Sequence, residues 1–453
     1  MKELTLKQIA DWCGGTVAPE YEKVPVTGVE SDSRKVEVGD LFVALRGERV
    51  DGHDFIPSAK TLGAAAALVS RPSDELPCVV VESPLRAYGE IAKHYREMTG
   101  AKVVGITGSV GKTTTKEMIA AVLRTALRTQ WTEKNYNNEI GLPVSVLRLK
   151  PDCEAAVLEM GMNHFGELSV LTRIAQPDLA VITNIGTMHI ENLGSREGIL
   201  RAKLEILEGL RPGGRVIFNG DDALLRPLAA RYHAVCFGLS EGCDVRASRV
   251  CESAEGSKFT VHAFGKSFEA ALSVPGLHNV LDALAAAAVG LLLGLSPEQI
   301  AEGLRSYAPL RQRVSHAAGM TIIDDCYNAG PESMRAALRV LAGTPTEGRR
   351  IAVLGGMLEL GDFAPELHAG VGREAAKAAD LLLAYGPCSE CYVQGAHEAG
   401  LAGARAFATH DALVAALEET CRAGDTLLFK GSHGMHMEQV LARLLKTKEH
   451  MGE

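Results

Sequence analysis

The chain contains no uninterrupted apolar run of the roughly 18 residues needed to cross a bilayer. The nearest, Ala283 to Leu295, is rich in small residues and too short. The opening Met1-Lys2-Glu3-Leu4-Thr5 lacks the apolar core of a signal peptide. Blocks of Lys and Arg are missing as well, and the formal net charge is -9. Nucleic acids and anionic membranes both select a basic footprint, so neither is an expected partner. Internal repeats and low-complexity segments are absent. A cysteine framework is absent too. Ten cysteines are scattered through the sequence, and the one tight pair is Cys388-x-x-Cys391 after Gly386-Pro387. A zinc site would want a second pair, and a redox motif a defined helix start. These are therefore read as ordinary thiols in a reducing compartment, the cytoplasm.

What remains is a composition ordinary for a globular protein, 46% hydrophobic and 23% charged over 453 residues. That length suggests about three domains. Residues 1–99 mix short apolar runs with turn residues and end in a helix-like stretch from Leu85 to Met98. Residues 100–309 alternate strands and helices. The strands are Lys102 to Thr107, Ala155 to Met160, Leu179 to Ile185 and Val216 to Asn219. Residues 310–453 repeat the theme with Thr321 to Asp324, Ile351 to Leu354, Leu381 to Tyr385 and Thr426 to Lys430. Such alternation predicts an α/β protein built on mainly parallel sheets, two such domains following a smaller one.

The strongest chemical signal is Gly105-Ile-Thr-Gly-Ser-Val-Gly-Lys-Thr-Thr-Thr115. It leaves a strand and enters a helix whose apolar positions are Met118, Ile119, Val122, Leu123, Ala126 and Leu127. Backbone N–H groups of Gly108, Ser109, Val110 and Gly111 at such a helix start form an anion cradle. Lys112 can reach the β- and γ-phosphates, and the Thr113 hydroxyl can ligate magnesium beside Thr114. The spacing departs from the usual phosphate-loop pattern, which places glycine where Ile106 stands.

Three further residues belong to the same sheet edge by their position. Glu159 ends its strand, as an acid that holds magnesium does. His189 follows the strand from Leu179. Lys203 sits in a predicted helix from Ser195 to Leu210, within the stripe Ile199, Leu200, Leu204, Ile206, Leu207 and Leu210. Arg201, Glu205 and Glu208 take the solvent face. Two readings of Lys203 stand. It can snorkel to the edge, or it can be buried as a neutral amine that reacts with CO2 to give a carboxylate-like carbamate.

With these residues placed, the chain resembles the Mur ligase family over nearly its full length. The motifs that carry the resemblance run in order. They are Asp32-Ser-Arg34, Gly39-Asp-Leu-Phe-Val-Ala44, Asp51-Gly-His-Asp-Phe55, the phosphate loop and Asn135-Tyr-Asn-Asn-Glu-Ile-Gly-Leu-Pro143. Next come Glu159-Met-Gly-Met-Asn-His164, Asn184-Ile-Gly-Thr-Met-His189, Arg201-Ala-Lys203 and His278-Asn279. Asp324-Asp-Cys-Tyr-Asn328, Met357-Leu-Glu-Leu-Gly361 and Lys430-Gly-Ser432 complete the series. The resemblance implies an N-terminal UDP-sugar domain, a central ATP-binding domain and a C-terminal Rossmann-like domain. It implies an ATP- and Mg2+-dependent amide-bond ligase of cytoplasmic cell-wall precursor synthesis. Such a monomeric enzyme joins D-alanyl-D-alanine to a UDP-N-acetylmuramoyl-tripeptide through an acyl phosphate. The sister ligase adding the third amino acid is the alternative, and its Asp-Asn-Pro-Arg signature is missing.

Carried over by the same resemblance, Lys112, Thr113 and Glu159 serve the phosphates and one magnesium, and His189 and carbamylated Lys203 a second. Asn279 faces adenine, Arg311 the γ-phosphate and Asp325 the ribose. Asp32, Ser33, Arg34, Asn137 and Asn138 contact the UDP-substrate, and Asn328, Lys430 and Ser432 the incoming dipeptide. The chain departs from the family pattern at Asp282, where a second asparagine is usual, and at Arg313, Gly330, Gly356 and His433.

Overall fold

The computed structural model describes residues 1–47, 49–253, 256–309 and 313–450. The chain packs as two units. One comprises Met1–Thr107, Leu123–Ile182 and Lys203–Ile217, the other Gly108–Val122, Thr183–Ala202 and Phe218–Glu453.

In the first unit, strands Gly28–Glu30, Asp40–Val43, Ala66–Val69 and Cys78–Val80 form a parallel sheet in chain order. Asp40–Val43 and Ala66–Val69 are buried at every position, as strands covered on both faces are. Helix Pro84–Met98 starts with Ser83 accepting the Arg86 N–H and proline at its first turn. It buries Ala87, Tyr88, Ile91, Ala92, Tyr95 and, unexpectedly, Arg96.

Arg96 donates to four acceptors, Thr99 Oγ1 at 3.3 Å among them. Nε donates to Ala175 O at 3.0 Å, and Nη2 to Gln176 O at 3.2 Å and to Asp178 at 3.1 Å. Asp178 also accepts the Val103 N–H at 2.9 Å, so one ion pair links this helix to the foot of strand Lys102–Thr107. That strand is central in a second parallel set, ordered Thr129–Trp131, Ala155–Glu159, Lys102–Thr107, Leu179–Ile182. Ile106 is in register with Glu159, and Thr107 with Ile182.

The expected helix from Ser195 to Leu210 is interrupted. An α-helix runs over Arg196–Leu204, and a 3₁₀ segment follows over Glu205–Gly209. Thr172 Oγ1 donates to Ile206 O at 2.6 Å, and Gly209 approaches the Thr172 carbonyl too closely for any Cβ. Glu205 does not simply face solvent, as its periodicity suggested. Its carboxylate accepts from Gly166 N at 2.9 Å and Ser169 N at 3.2 Å, capping helix Glu167–Ala175, whose N-cap glycine has no side chain for the task. Likewise the phosphate-loop helix, Lys112–Leu123, ends before Ala126, which is exposed.

In the second unit, Val235–Gly238 runs parallel to Val245–Ser253, but two antiparallel strands follow, Gly256–Ala263 and Lys266–Leu272. Sequence rhythm predicted no such meander. The polar, half-exposed outer end of Val245–Ser253 hides it. Helix Leu277–Leu292 is buried almost continuously from Asn279 to Gly290, which accounts for the long apolar run there. Among the described residues no helix is long and apolar enough to cross a membrane.

A six-stranded sheet completes this unit, ordered Arg313–Ala317, Met320–Asp325, Thr426–Lys430, Arg350–Gly355, Leu381–Tyr385, Ala404–Phe407. Only the first pairing is antiparallel. Ile322, Val353, Leu383, Leu427 and Phe429 form its core with Leu417 and Val440. The parallel strands bring Asp325, Lys430 and Gly355 to one edge, where open α/β sheets bind ligands. The strands are one or two residues longer than sequence rhythm gave for Met320–Asp325 and Arg350–Gly355.

Arg96→Ala should leave Asp178 without its buried partner and cost about 3–5 kcal/mol. A lowered denaturant midpoint for the transition of this unit checks it, and an unchanged midpoint contradicts it.

Candidate active site

The phosphate loop follows strand Lys102–Thr107 and is held from behind by the residues after strand Leu179–Ile182. The Asn184 side chain pairs with both polar groups of the Val110 backbone. It accepts from Val110 N at 2.9 Å and donates to Val110 O at 2.9 Å. Thr183 Oγ1 adds a bond to Val110 O at 2.6 Å, and Ser109 N donates to Asn184 O at 3.1 Å. Gly186 N in turn donates to Ser109 Oγ at 2.8 Å. The strand Leu179–Ile182 stops short of the predicted Ile185 because these groups turn to the loop instead of to a neighbouring strand.

Two glycines are required by this close packing. Gly108 (φ +154°) lies so near Thr183 that a Cβ would fall 1.8 Å from Oγ1. Gly111 (φ +86°) faces Asp282, whose Oδ1 would be 2.8 Å from a Cβ. Lys112 Nζ donates to the carbonyls of Gly108 at 2.7 Å and Ser109 at 3.3 Å, which holds it along the loop. Thr107, the last strand residue before the loop, has a buried hydroxyl with no hydrogen-bond partner among the described residues.

Asp282 accepts a 2.7 Å hydrogen bond from Thr115 Oγ1 in the loop's helix. It is buried, and desolvation pushes its carboxyl up to about 8 although Thr115 pulls the other way. The group is therefore a neutral acid at neutral pH, closer in character to the amide usual there in the family pattern than its formula suggests. Asn279, one turn earlier, donates to Pro275 O at 2.6 Å. Arg311, expected at the γ-phosphate, lies outside the described residues.

Other predicted residues fall as follows. Glu159 is 3% exposed and its Oε1 accepts from Asn137 Nδ2 at 2.9 Å. Asn138 accepts from Gly141 N at 2.9 Å, opening the short helix Gly141–Leu147. Each of these asparagines, expected at the UDP-substrate, also organises the protein. Lys203 is 2% exposed on a face it shares with Ile199, Ala202 and Ile206. Such burial does not fit a lysine that snorkels to water.

The Asp32 segment is shaped by Glu30, which accepts from Ser31 N at 2.9 Å and Asp32 N at 3.0 Å and pairs with Arg148 at 3.0 Å. Arg34 grips Asp32 through Nε at 2.8 Å and Nη2 at 2.9 Å, and holds its carboxyl well below the usual carboxylate range, with Lys35 assisting. Arg34 itself is exposed, and Ser33 is half-buried. At the six-stranded sheet edge, Lys430 pairs with Asp325 at 2.7 Å and donates to Asn328 O at 2.8 Å. Ser432 Oγ accepts from Leu358 N at 3.0 Å. Residues assigned separately to ribose and dipeptide thus form one cluster.

Sequence reasoning gave no role to Thr183, Asn184, Glu332 or Glu359. Thr187 donates to Glu332 at 3.1 Å, and His189 Nδ1 is bonded to Glu359. The available signal was a pair of polar residues directly after an apolar strand, and a glutamate inside Met357-Leu-Glu-Leu-Gly361.

Comparison with known proteins gives a consistent picture. Models for the Mur ligase family catalytic domain, the Mur ligase middle domain and the Mur ligase glutamate ligase domain match residues 25–148, 106–290 and 311–433. UDP-N-acetylmuramoyl-tripeptide--D-alanyl-D-alanine ligase of Bacillus subtilis is 40% identical over 99% of both chains. The ligase of the same name from Escherichia coli is 37% identical over 98% of this chain and 99% of its own. The crystal structure of MurF from Acinetobacter baumannii superposes with a TM-score of 0.91, at 34% identity over 98% of this chain and 99% of that one. MurF ligase from Thermotoga maritima in complex with ADP gives 0.84, at 31% identity over 94% and 99%.

Asp282 also sets a pH dependence. Its carboxyl keeps a proton up to about pH 8 when folded, but only to about pH 4 when unfolded. Between these values the native state binds more protons, so stability falls as pH rises and levels off above the upper one. Asp282→Asn removes this loss. Its stability should match the parent's near pH 4, exceed it by a growing margin as pH rises to about 8, and hold a constant advantage above that. A difference independent of pH would contradict the assignment.

Proposed function

The chain belongs to the Mur ligase family, and on that premise we propose that it joins D-alanyl-D-alanine to UDP-N-acetylmuramoyl-tripeptide at the expense of ATP. The observation that carries this reading is the end-to-end match to ligases of that name, 99% of both chains in one case. A phosphate loop alone would serve a kinase or a nucleotide-dependent regulator equally well. We assign residues 1–99 to the UDP-sugar, 100–309 to ATP and 310–453 to the closing Rossmann-like domain. The ten free thiols fit the reducing cytoplasm, where ATP is at hand, and we take the working enzyme to be one chain.

A carboxylate and an amine do not condense in neutral water without activation. The terminal carboxylate oxygen of the tripeptide attacks the γ-phosphorus of ATP, the bond to the β-phosphate oxygen breaks, and ADP leaves. The dipeptide amine then attacks the acyl phosphate carbon. The tetrahedral adduct expels phosphate, and the nitrogen loses a proton as the amide forms. Lys112 offsets charge on the γ-phosphate while it is in flight, together with the N–H groups of Gly108 and Gly111, since those of Ser109 and Val110 donate to Asn184. Asn184 and Thr183 hold the loop backbone in place behind them.

Magnesium, when bound, neutralises phosphate charge and orients the transferred group. The donor set fits it. Magnesium bound with a nucleotide takes one or two side chains besides phosphate oxygens and water. The Thr113 hydroxyl and Glu159 carboxylate are oxygen donors of that kind, and the cradle at Gly108 and Gly111 is closed to any Cβ. Thr113 and Glu159 would hold one ion, and His189 with carbamylated Lys203 a second. The buried Lys203 is the least expected member. A bare ammonium there would suffer desolvation and repel the metal, and a carbamate reverses that sign. Asn279 would meet adenine, and Asp325 the ribose. Arg34 with Asp32 and Ser33 would meet the uridine end, and Asn328, Lys430 and Ser432 the dipeptide.

The function is tested by incubating the purified chain with ATP, Mg2+ and UDP-muramyl peptides, with and without D-Ala-D-Ala. ADP, phosphate and an amide product in equal amounts are expected, only with the tripeptide and the dipeptide together. ATP turnover yielding a stable phosphorylated product, or extension of the dipeptide precursor by a single amino acid, would replace this reading.

Lys203→Arg should lower turnover at least about 100-fold, the scale of losing an electrostatic partner of the transition state. Guanidinium stays charged and forms no stable carbamate. Substantial activity in this variant, with normal folding, removes Lys203 from the metal site.

A further inference from the structure

The segment after the phosphate-loop clamp, Thr187 to Glu191, is gripped by residues far along the chain. Thr187 bonds to Glu332 in the first turn of helix Pro331–Gly343, and Met188 lies against Gly330, where a Cβ would be 2.8 Å from its Cγ. Glu191 packs on Gly361. Between them, His189 Nδ1 meets the Glu359 carboxylate. Both residues hold a left-handed backbone, with φ +63° at His189 and +62° at Glu359. Few non-glycine residues adopt that conformation, and where they do the surroundings enforce it.

The loop that presents Glu359 is anchored on every side. Gly356 N donates to Tyr385 O at 2.9 Å, and Leu358 N to Ser432 Oγ at 3.0 Å. Met357 N donates to His368 Nε2 at 2.9 Å. His368 shows how this fold sets a tautomer. Its Nδ1 faces the carbonyl of Ala364, which only accepts, so the proton sits on Nδ1 and Nε2 is free to accept. The same logic applies at His189, with a carboxylate in place of the carbonyl.

We propose that Glu359 is a positioning residue: it takes the Nδ1–H of His189 and so fixes the imidazole with its Nε2 lone pair available to a ligand at the phosphate-loop edge. This rests on the assignment of His189 to the site made above. An imidazole that ligates through one nitrogen needs the other nitrogen bonded, which fixes both ring orientation and proton position. Glu359 meets that need from a loop more than a hundred residues away in sequence. The segment that carries His189 therefore takes its final form only when residues 330–361 are folded against it.

The test uses the full chain labelled with 15N-histidine, without nucleotide or metal and at pH 8, where an ordinary imidazole is neutral. The His189 ring signals are assigned with a His189→Gln sample. The proton is expected on Nδ1 in the parent, and on Nδ1 also in Glu359→Gln, whose side-chain oxygen still accepts. In Glu359→Ala it should move towards Nε2. Turnover should follow the same order, with kcat falling about 10–100-fold in Glu359→Ala, recovering in Glu359→Gln, and KM for the UDP-sugar unchanged. An unaltered proton position in Glu359→Ala overturns the proposal, as does a moved proton with parental kcat. A parent chain that forms no amide overturns the proposed function alone, because the proton position is read without substrate.

Discussion

The site depends on the clamp that Asn184 closes on Val110. A phosphate loop must leave some of its backbone N–H groups to the anion, so hydrogen bonds within the loop cannot fully stabilise it. Here the stabilisation comes from the back. One amide side chain satisfies both polar groups of Val110, Thr183 adds a second donor to the same carbonyl, and Ser109 is tied at its N–H and its hydroxyl. Glycine at 108 and 111 follows from this packing, since any side chain would strike Thr183 or Asp282. The anion-binding geometry is thus settled before an anion arrives, which is the condition for electrostatic stabilisation without reorganisation.

Buried charge is distributed according to the same economy of partners. Arg96 enters the interior with four acceptors waiting, and Lys430 with a carboxylate and a carbonyl. Asp282 has one hydroxyl, too little to keep a charge, and it keeps its proton instead. Lys203 is buried to the same degree as Lys430. Lys430 is answered by Asp325, and the carbamate proposed at Lys203 would reverse the sign of that side chain's charge.

Two carboxylates, Glu332 and Glu359, connect this edge to the six-stranded sheet. Their targets, Thr187 and His189, lie within five residues of the Asn184 clamp. A short stretch of chain therefore faces the phosphate loop at one end and the C-terminal sheet at the other. Such a stretch lets the folding of one region govern the exact placement of a ligand in another, which suits a reaction that must gather three substrates.

The sequence alone determined the α/β class, the phosphate loop, and the strand end carrying Glu159, because each depends on local pattern: apolar runs of strand length, glycine spacing, a lysine at a helix start. It also marked Lys203, since one lysine in an apolar stripe is visible at helical period. The tertiary structure alone decided what polar side chains do. Glu205 looked solvated by periodicity and caps another helix, and Asn137 and Asn138, expected at the substrate, also hold Glu159 and a helix start. The meander from Val245 to Leu272 was missed for a similar reason, because half-exposed strands carry a mixed pattern. Asn184 and Glu359 were in plain view with no role to read. A hydrogen bond needs two partners within about 3 Å, and residues 74 or 170 positions apart meet only when the chain has folded.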